Sequence, residues 1–400
     1  MAEARNLFIT AAPARLAYSM ISLGIYFKIY REGHSISIAS LGVGLNGMAG
    51  AITAGIRASV IDRIGMIVPL RILAPSYAAM ILVFNTLHGA HLLVLIAFIL
   101  GFVAPPINLS IRPLWKSTVG PELLRSAYAV DSAMMGVTVV VGPVVATALS
   151  LSSHPASALI LCSGCMAISG VALSCLSSAR KWQRAEGTST PFLIFRVPGI
   201  RLLAIEGIFI GLGMGAFETT IPATTTLHHV VHRTGSIFAV MAIAQIFGSL
   251  LAGVVAKRLT PLAAFKKNYL LWSLFALPLF LTTPNWSLYL VASLIGMVGG
   301  AQQVFYMEIL EAIRPAGTAA SALGWLWTFE GTAEALGNTI GGWLSDRIAP
   351  SFAFGFTSLT IVAGMMVVRW GSRFLAKADR PTTDALLTST LEDLDGKELN

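Results

Sequence analysis

Twelve apolar stretches, each long enough to cross a bilayer, constrain this chain more than any other feature. They run roughly over 7–29, 36–60, 66–87, 92–112, 126–150, 155–177, 199–222, 235–256, 267–283, 286–308, 320–344 and 351–371. A helix needs ~20 residues to cross ~30 Å of hydrocarbon. Open sheet edges go unsatisfied in lipid, so each stretch is expected to be a helix. The alternating pattern of a membrane barrel is absent. Hydrophobic residues make up 55% and charged residues 12%, against about 25% charged in soluble domains. The 400 residues therefore read as one all-α membrane protein. The first apolar segment has no convincing cleavage site and is taken as a retained span.

Sidedness follows from the basic residues. With the N-terminus in the cytoplasm, 22 of the 27 Lys and Arg fall at cytoplasmic loops and ends, and only Lys28, Arg31, Arg233 and Arg347 fall outside. That is the asymmetry of the positive-inside rule. The net charge of +8 is then a topology signal. Nucleic-acid binding would need a soluble basic face, so no nucleic acid is expected as a partner. The chain is expected to be multi-pass in a bacterial plasma (inner) membrane, with both termini cytoplasmic and the lipid bilayer as its surroundings.

The stretch Ser126 to Thr147 returns 195 residues later as Ser321 to Gly342. Ser126 meets Ser321, Gly136 meets Gly331, Gly142 meets Gly337 and, upstream, Gly101 meets Gly296. An offset of 198 aligns Gly50 with Gly248. The chain has 37 glycines, so one match means little, but several at nearly one offset suggest a duplicated unit. Parallel repeats of this kind build many transporters, with the substrate path between the halves. The halves are read as 1–178 and 198–378, joined by a cytoplasmic linker at 179–197. A polar, acid-rich tail follows at 379–400 and reads as disordered.

Between the second and third spans, AGIRASVIDRIGM carries Asp62, Arg63 and Gly65, with Arg57 and Arg71 keeping the region cationic. This resembles the major facilitator superfamily signature G-x-x-x-D-R-x-G-[RK]-[RK]. Ala58 replaces its first Gly, and Met66-Ile67 its basic pair. Gly136 through Gly142-Pro143 in the fifth span resembles the antiporter signature of that superfamily, without its trailing Gly-Gly. The Arg-x-x-Gln-Gly signature of drug exporters is absent. The fourth to fifth spans (PPINLSIRPLW, AYAVD, GP) and the seventh (GLGMGAFETTIPA) resemble an actinobacterial-type bacterial branch. The likeness covers nearly all of 7–375. It implies the major facilitator fold of two pseudo-symmetric six-helix bundles, alternating access and small-molecule efflux. It also implies spans 1, 4, 7 and 10 around a cavity, 2, 5, 8 and 11 between the bundles, and 3, 6, 9 and 12 toward lipid. In the resembled family the acid at Asp62 caps the eleventh helix and holds the cytoplasmic side shut. Arg57, Asp62, Arg63, Gly65, Asp131, Gly136, Gly142 and Pro143 are therefore gating candidates.

A charge in the bilayer core costs about 2.5–3.5 kcal/mol on insertion scales, so it usually faces a bundle interior or a wet path. Glu330 and Glu334 stand four apart on one helical face and cannot both ionise comfortably in a low dielectric. With Glu218 they are the proton-coupling candidates; paired helix contacts are the plainer reading. Glu206 could serve the cavity or simply pair with Arg201 or Arg196. Arg15 and Asp131 are expected at similar depth as an ion pair, or as a substrate anchor or switch. Asn46, Asn108, Gln245, Gln302, Gln303, Tyr306 and Asn338 offer polar contacts to substrate, or interhelical hydrogen bonds worth ~0.6 kcal/mol on average. Trp327, near Trp325, could form an aromatic wall or sit at the membrane interface.

Cys162 and Cys165 form C-x-x-C inside one apolar span and read as small buried residues. The seven histidines map to the outer side without a carboxylate or cysteine beside them, so no metal site is expected. The sequence therefore favours a monomeric secondary transporter of a small-molecule substrate, with no cofactor and a proton gradient as its drive. Proton-coupled efflux is preferred, and uptake of a sugar or organic acid is the nearest alternative. A membrane-embedded enzyme would need a concentrated catalytic set near one interface, and a sensor would need a sizeable output domain. Neither is visible.

Overall fold

The computed structural model describes residues 2–107, 111, 114, 115, 118, 119, 121–180, 195–255, 259–314 and 319–378. Asn108 lies outside the described residues, as do the side chains of Asp62 and Arg63. All regular structure among the described residues is helical, and twelve long helices carry it: α1 (Ala2–Arg31), α2 (Ile36–Ile64), α3 (Ile67–Thr86), α4 (Ala90–Val103), α5 (Pro121–Ser150), α6 (Ser157–Cys175), α7 (Pro198–Leu227), α8 (Thr234–Val255), α9 (Pro261–Ala276), α10 (Trp286–Ile313), α11 (Ala319–Arg347) and α12 (Pro350–Gly371).

Local chemistry sets the ends of these helices. Proline opens α7, α9 and α12, where a missing N–H costs nothing. Thr260 Oγ1 and Asn285 Oδ1 accept backbone N–H groups at the starts of α9 and α10, as N-caps do. Gly65, at φ +84°, turns α2 into α3 in a left-handed conformation that a side chain would strain. Two boundaries differ from the sequence expectation because of proline. The described run of α4 stops at Val103, since Ala104 is extended ahead of Pro105-Pro106. The ninth span starts at Pro261 and tightens to a 3-10 turn at Leu277 to Leu281, around Pro278.

Among the described residues, eight of the twelve helices are long and apolar enough to cross a membrane by length and composition. The helices α5 and α11, which carry Asp131, Glu330 and Glu334, lie where the halves meet. Contact between the halves runs along two seams, α2 against α11 and α5 against α8. Exposed apolar side chains cover the flanks, including Ile72 and Val83 of α3, Ile160 and Ile168 of α6, Leu270 and Leu274 of α9, and Leu359 of α12.

The repeated glycines make the same contact twice. Gly101 lies on the Asn46 carbonyl of α2, and Gly296 on the Met241 carbonyl of α8. Gly142 seats α5 on Ser19 of α1, as Gly337 seats α11 on Leu212 of α7. Gly136 and Gly331 both look across to the other half: a Cβ there would stand 3.2 Å from Ile246 and 3.3 Å from Ala51. The spacing persists in the sequence because close helix packing in a membrane favours the smallest residue.

Candidate functional site

The acids of the C-terminal half are set by a backbone contact between α7 and α11. A Cβ on Gly211 or Gly215 would collide with the carbonyls of Glu330 and Glu334, and one on Gly341 would stand 2.6 Å from Ala216. Gly207 completes the stripe, with its Cβ position 3.7 Å from Glu330 Cβ. The two helices run parallel at this distance, so the carboxyls form one ladder. Glu206 and Glu330 stand nearest the end that carries the chain termini, Glu334 is one turn further, and Glu218 is the furthest. From Glu206 to Glu218 the rise is roughly 18 Å. Neighbouring rungs lie within electrostatic range: Glu206 with Glu330, Glu330 with Glu334, and Glu334 with Glu218. Among the described residues, none of the four forms an ion pair with Lys or Arg.

The rungs differ in surroundings. Glu218, Glu330 and Glu334 are partly exposed. Glu330 and Glu334 are each one residue from Gly331 and Ala335, which face α2. Glu206 is 3% exposed and accepts a 2.8 Å hydrogen bond from the Tyr269 hydroxyl of α9. It therefore faces the core of its own bundle, paired neither with Arg201 nor with Arg196. Beside it, a cavity of about 40 Å³ is lined by Glu206, Trp272, Gly299, Gln302, Tyr306 and Glu330, among others. Gln303 also reaches this cavity but is otherwise exposed.

The other predicted residues scatter. Arg15 Nη2 meets Asp131 Oδ1 at 2.7 Å, with both side chains buried. Arg15 Nη1 donates to the Asp131 carbonyl at 2.9 Å, and Trp115 Nε1 to Asp131 Oδ1 at 2.8 Å. This joins α1, α5 and the segment after α4 inside the N-terminal half. Asn46 Nδ2 donates to the Ala97 carbonyl at 2.9 Å, and Arg57 donates to the carbonyls of Gly50 and Ala104, so both tie α2 to the α4 segment. Asn338 is buried, its carbonyl accepting from Thr219. Gln245 and Trp327 are exposed. Gly136 faces Ile246, Gly142 faces Ser19, and the Pro143 carbonyl packs on Gly235 of α8.

At the end away from the termini the halves close on one another. Gly342 packs against Ser40, Gly44 against Thr339, and Gly235 against Val144. The Ser37 hydroxyl donates to Asp346 Oδ2 across the α2–α11 seam. Asp346, Tyr269 and Trp272 were not singled out in the sequence. The only signal for Tyr269 was a polar run, Asn268-Tyr269, in a span assigned to lipid.

A family model described as Major Facilitator Superfamily matches residues 7–310. The chain is 29% identical over 162 residues to an uncharacterized MFS-type transporter, y4rN, from Sinorhizobium fredii. That match covers 38% of this chain and 40% of the relative, so the chain spans less than half the length of the relative it matches. Among solved structures, it is similar to a bacterial homologue of the iron transporter ferroportin in an inward-facing state, with a TM-score of 0.74 and 13% identity. That similarity covers 94% of this chain and 99% of the other. The nucleoside transporter NupG gives a TM-score of 0.72 at 13% identity, over 95% of this chain and all of the other. At such identities the likeness is one of fold.

Proposed function

This chain belongs to the major facilitator superfamily, and from that premise we propose that it exports a small molecule in exchange for protons. That it is a secondary transporter rather than an enzyme follows from the family and from its structural neighbours. Coupling to protons rests on the ladder of Glu206, Glu330, Glu334 and Glu218, and the direction, export, on the resemblance to an efflux-like branch of the family. Four carboxyls without a cationic partner are costly in a membrane unless they take up and release protons. A proton can bias the cycle only by binding one conformation more tightly than the other, and two of the four rungs, Glu330 and Glu334, adjoin residues that face α2 across the seam that must open.

With both termini in the cytoplasm, the closed seam at Ser37, Ser40, Asp346 and Gly342 faces outward. The lipid bilayer and one small-molecule substrate are then the partners needed. The unit acts as a monomer, and the proton gradient stands in place of a cofactor. The gating roles of Asp62, Arg63 and Gly65 and the cavity roles of Asn108 and Trp327 belong to the same proposal.

A thermal-shift screen of the purified chain selects a compound, because a ligand stabilises the folded form by mass action. That compound is then added to everted vesicles holding an acid interior. Efflux coupling is expected to collapse the pH gradient on addition. Acidification that drives the compound in the opposite direction would establish uptake instead, and indifference to the gradient would remove proton coupling.

A further inference from the structure

The cavity beside Glu206 is lined by two residues whose buried donors have no acceptor among the described residues. Gln302 is 4% exposed and Trp272 is 5% exposed, and among the described residues neither Gln302 Nε2 nor Trp272 Nε1 has a hydrogen-bond partner. Asn268 Nδ2 donates to Gln302 Oε1 at 2.7 Å and to the Val298 carbonyl at 3.0 Å. This fixes the amide so that its nitrogen turns away from Asn268. The Trp272 ring lies with its Cε2–Cζ2 edge toward Gly299, where a Cβ would stand 3.8 and 3.5 Å from those atoms. The indole N–H is on that edge, and Gly299 lines the cavity. Two orphan N–H groups therefore converge on one small space.

The occupant follows from that chemistry. Buried donors without an acceptor are costly, so it must accept hydrogen bonds, and a bare cation is excluded. It must also donate, because two carboxyls share the wall. About 40 Å³ admits about two water molecules and no organic substrate.

We infer that Trp272 and Gln302 hold water in this cavity and that the water links Glu330 to Glu206, making Glu206 the buried terminus of a proton relay. The inference rests on the proton-coupled reading above. Tyr269 occupies Glu206 Oε1 and leaves Oε2 to the water. In the transfer, the Glu330 O–H bond breaks toward a water oxygen while a water O–H proton passes to Glu206 Oε2. Glu330 ends as the anion and Glu206 as the neutral acid, with no change of oxidation state. The titratable groups that face Glu206 are Tyr269 from α9, Tyr306 from α10 and Glu330 from α11. From α12, Gly364 packs against the Tyr269 hydroxyl.

The test uses the full chain in lipid, with infrared difference spectra of protonated carboxyl groups across a pH titration and gradient-driven exchange in proteoliposomes. Glu206→Gln is expected to delete one titrating carboxyl band and uncouple exchange from the gradient. Trp272→Phe removes the N–H together with the five-membered ring that carries it, and Gly299→Ala places a methyl in the cavity while keeping the indole. Each is expected to slow gradient-driven exchange roughly three- to tenfold, about the worth of one hydrogen bond, and to shift its pH profile, while substrate counterflow is unchanged. Should Trp272→Phe, Gly299→Ala and Glu206→Gln all keep the wild-type pH profile while Glu330→Gln loses coupling, the relay is overturned and proton coupling stands. Indifference of the wild-type chain to the gradient defeats the broader reading, and the relay with it. Sodium chloride replacing the gradient as driving force also overturns the relay.

Discussion

Tyr269 on α9 donates a 2.8 Å hydrogen bond to Glu206 on α7, so a helix whose outer face is lipid-exposed Leu270 and Leu274 supports an acid in the bundle core. Tyr269→Phe removes the donor and no packing carbon. It is expected to lower stability by about 1–3 kcal/mol and to shift the pH profile of transport. Thermal unfolding in detergent and exchange measured at several pH values check the two halves of this expectation.

Glu330→Gln combined with Glu334→Gln is expected to abolish gradient-driven exchange while membrane yield and substrate counterflow persist. Counterflow lost together with yield would mark the pair as structural.

The buried Arg15–Asp131 pair, with Trp115 as a third member, makes a sharper stability prediction. Asp131→Ala strands the guanidinium and is expected to cost about 3–5 kcal/mol. Arg15→Met with Asp131→Leu is expected to recover most of that, because no charge is left behind. A thermal double-mutant cycle measures the coupling, and additive losses would contradict it.

Gly215→Val is expected to prevent a monodisperse fold, since its Cβ would enter the Glu334 carbonyl, whereas Gly164→Ala meets nothing within 4 Å and is expected to be silent. Size-exclusion profiles of the two variants decide this.

Ser37→Cys with Asp346→Cys, in a background with Cys162, Cys165 and Cys175 replaced, is expected to react with a short bifunctional thiol reagent. Transport is then expected to fall at least about tenfold and to return on reduction. The hydrogen bond across this seam places the two positions within reach.

Sequence reasoning reached the parts of this molecule that repeat. Gly136, Gly142, Gly101 and their partners near 195 residues on were legible because close packing forces one residue type at fixed spacing. The acid pair Glu330 and Glu334 was legible because charge is rare in an apolar helix. Tyr269 as the partner of Glu206 was not, since which face of one span meets another depends on helix rotation, and neither span carries a strong apolar stripe to set it. Asp346 was hidden for a related reason: it sits at a helix end, where a charge needs no explanation. Proline was visible throughout, yet its effect at Pro105-Pro106 and Pro278 was to end or tighten a helix where a continuous span was expected.

The glycine stripe that lets α7 lie directly on the carbonyls of α11 has a mechanical consequence. Two helices locked main chain to main chain cannot slide independently, so they swing as a single lever. Glu334 sits near the middle of that lever and Asp346 at its tip, about 18 Å along the axis. On the proton-coupled proposal, a proton taken up at Glu334 would pull through this lever on the rim where Asp346 meets Ser37.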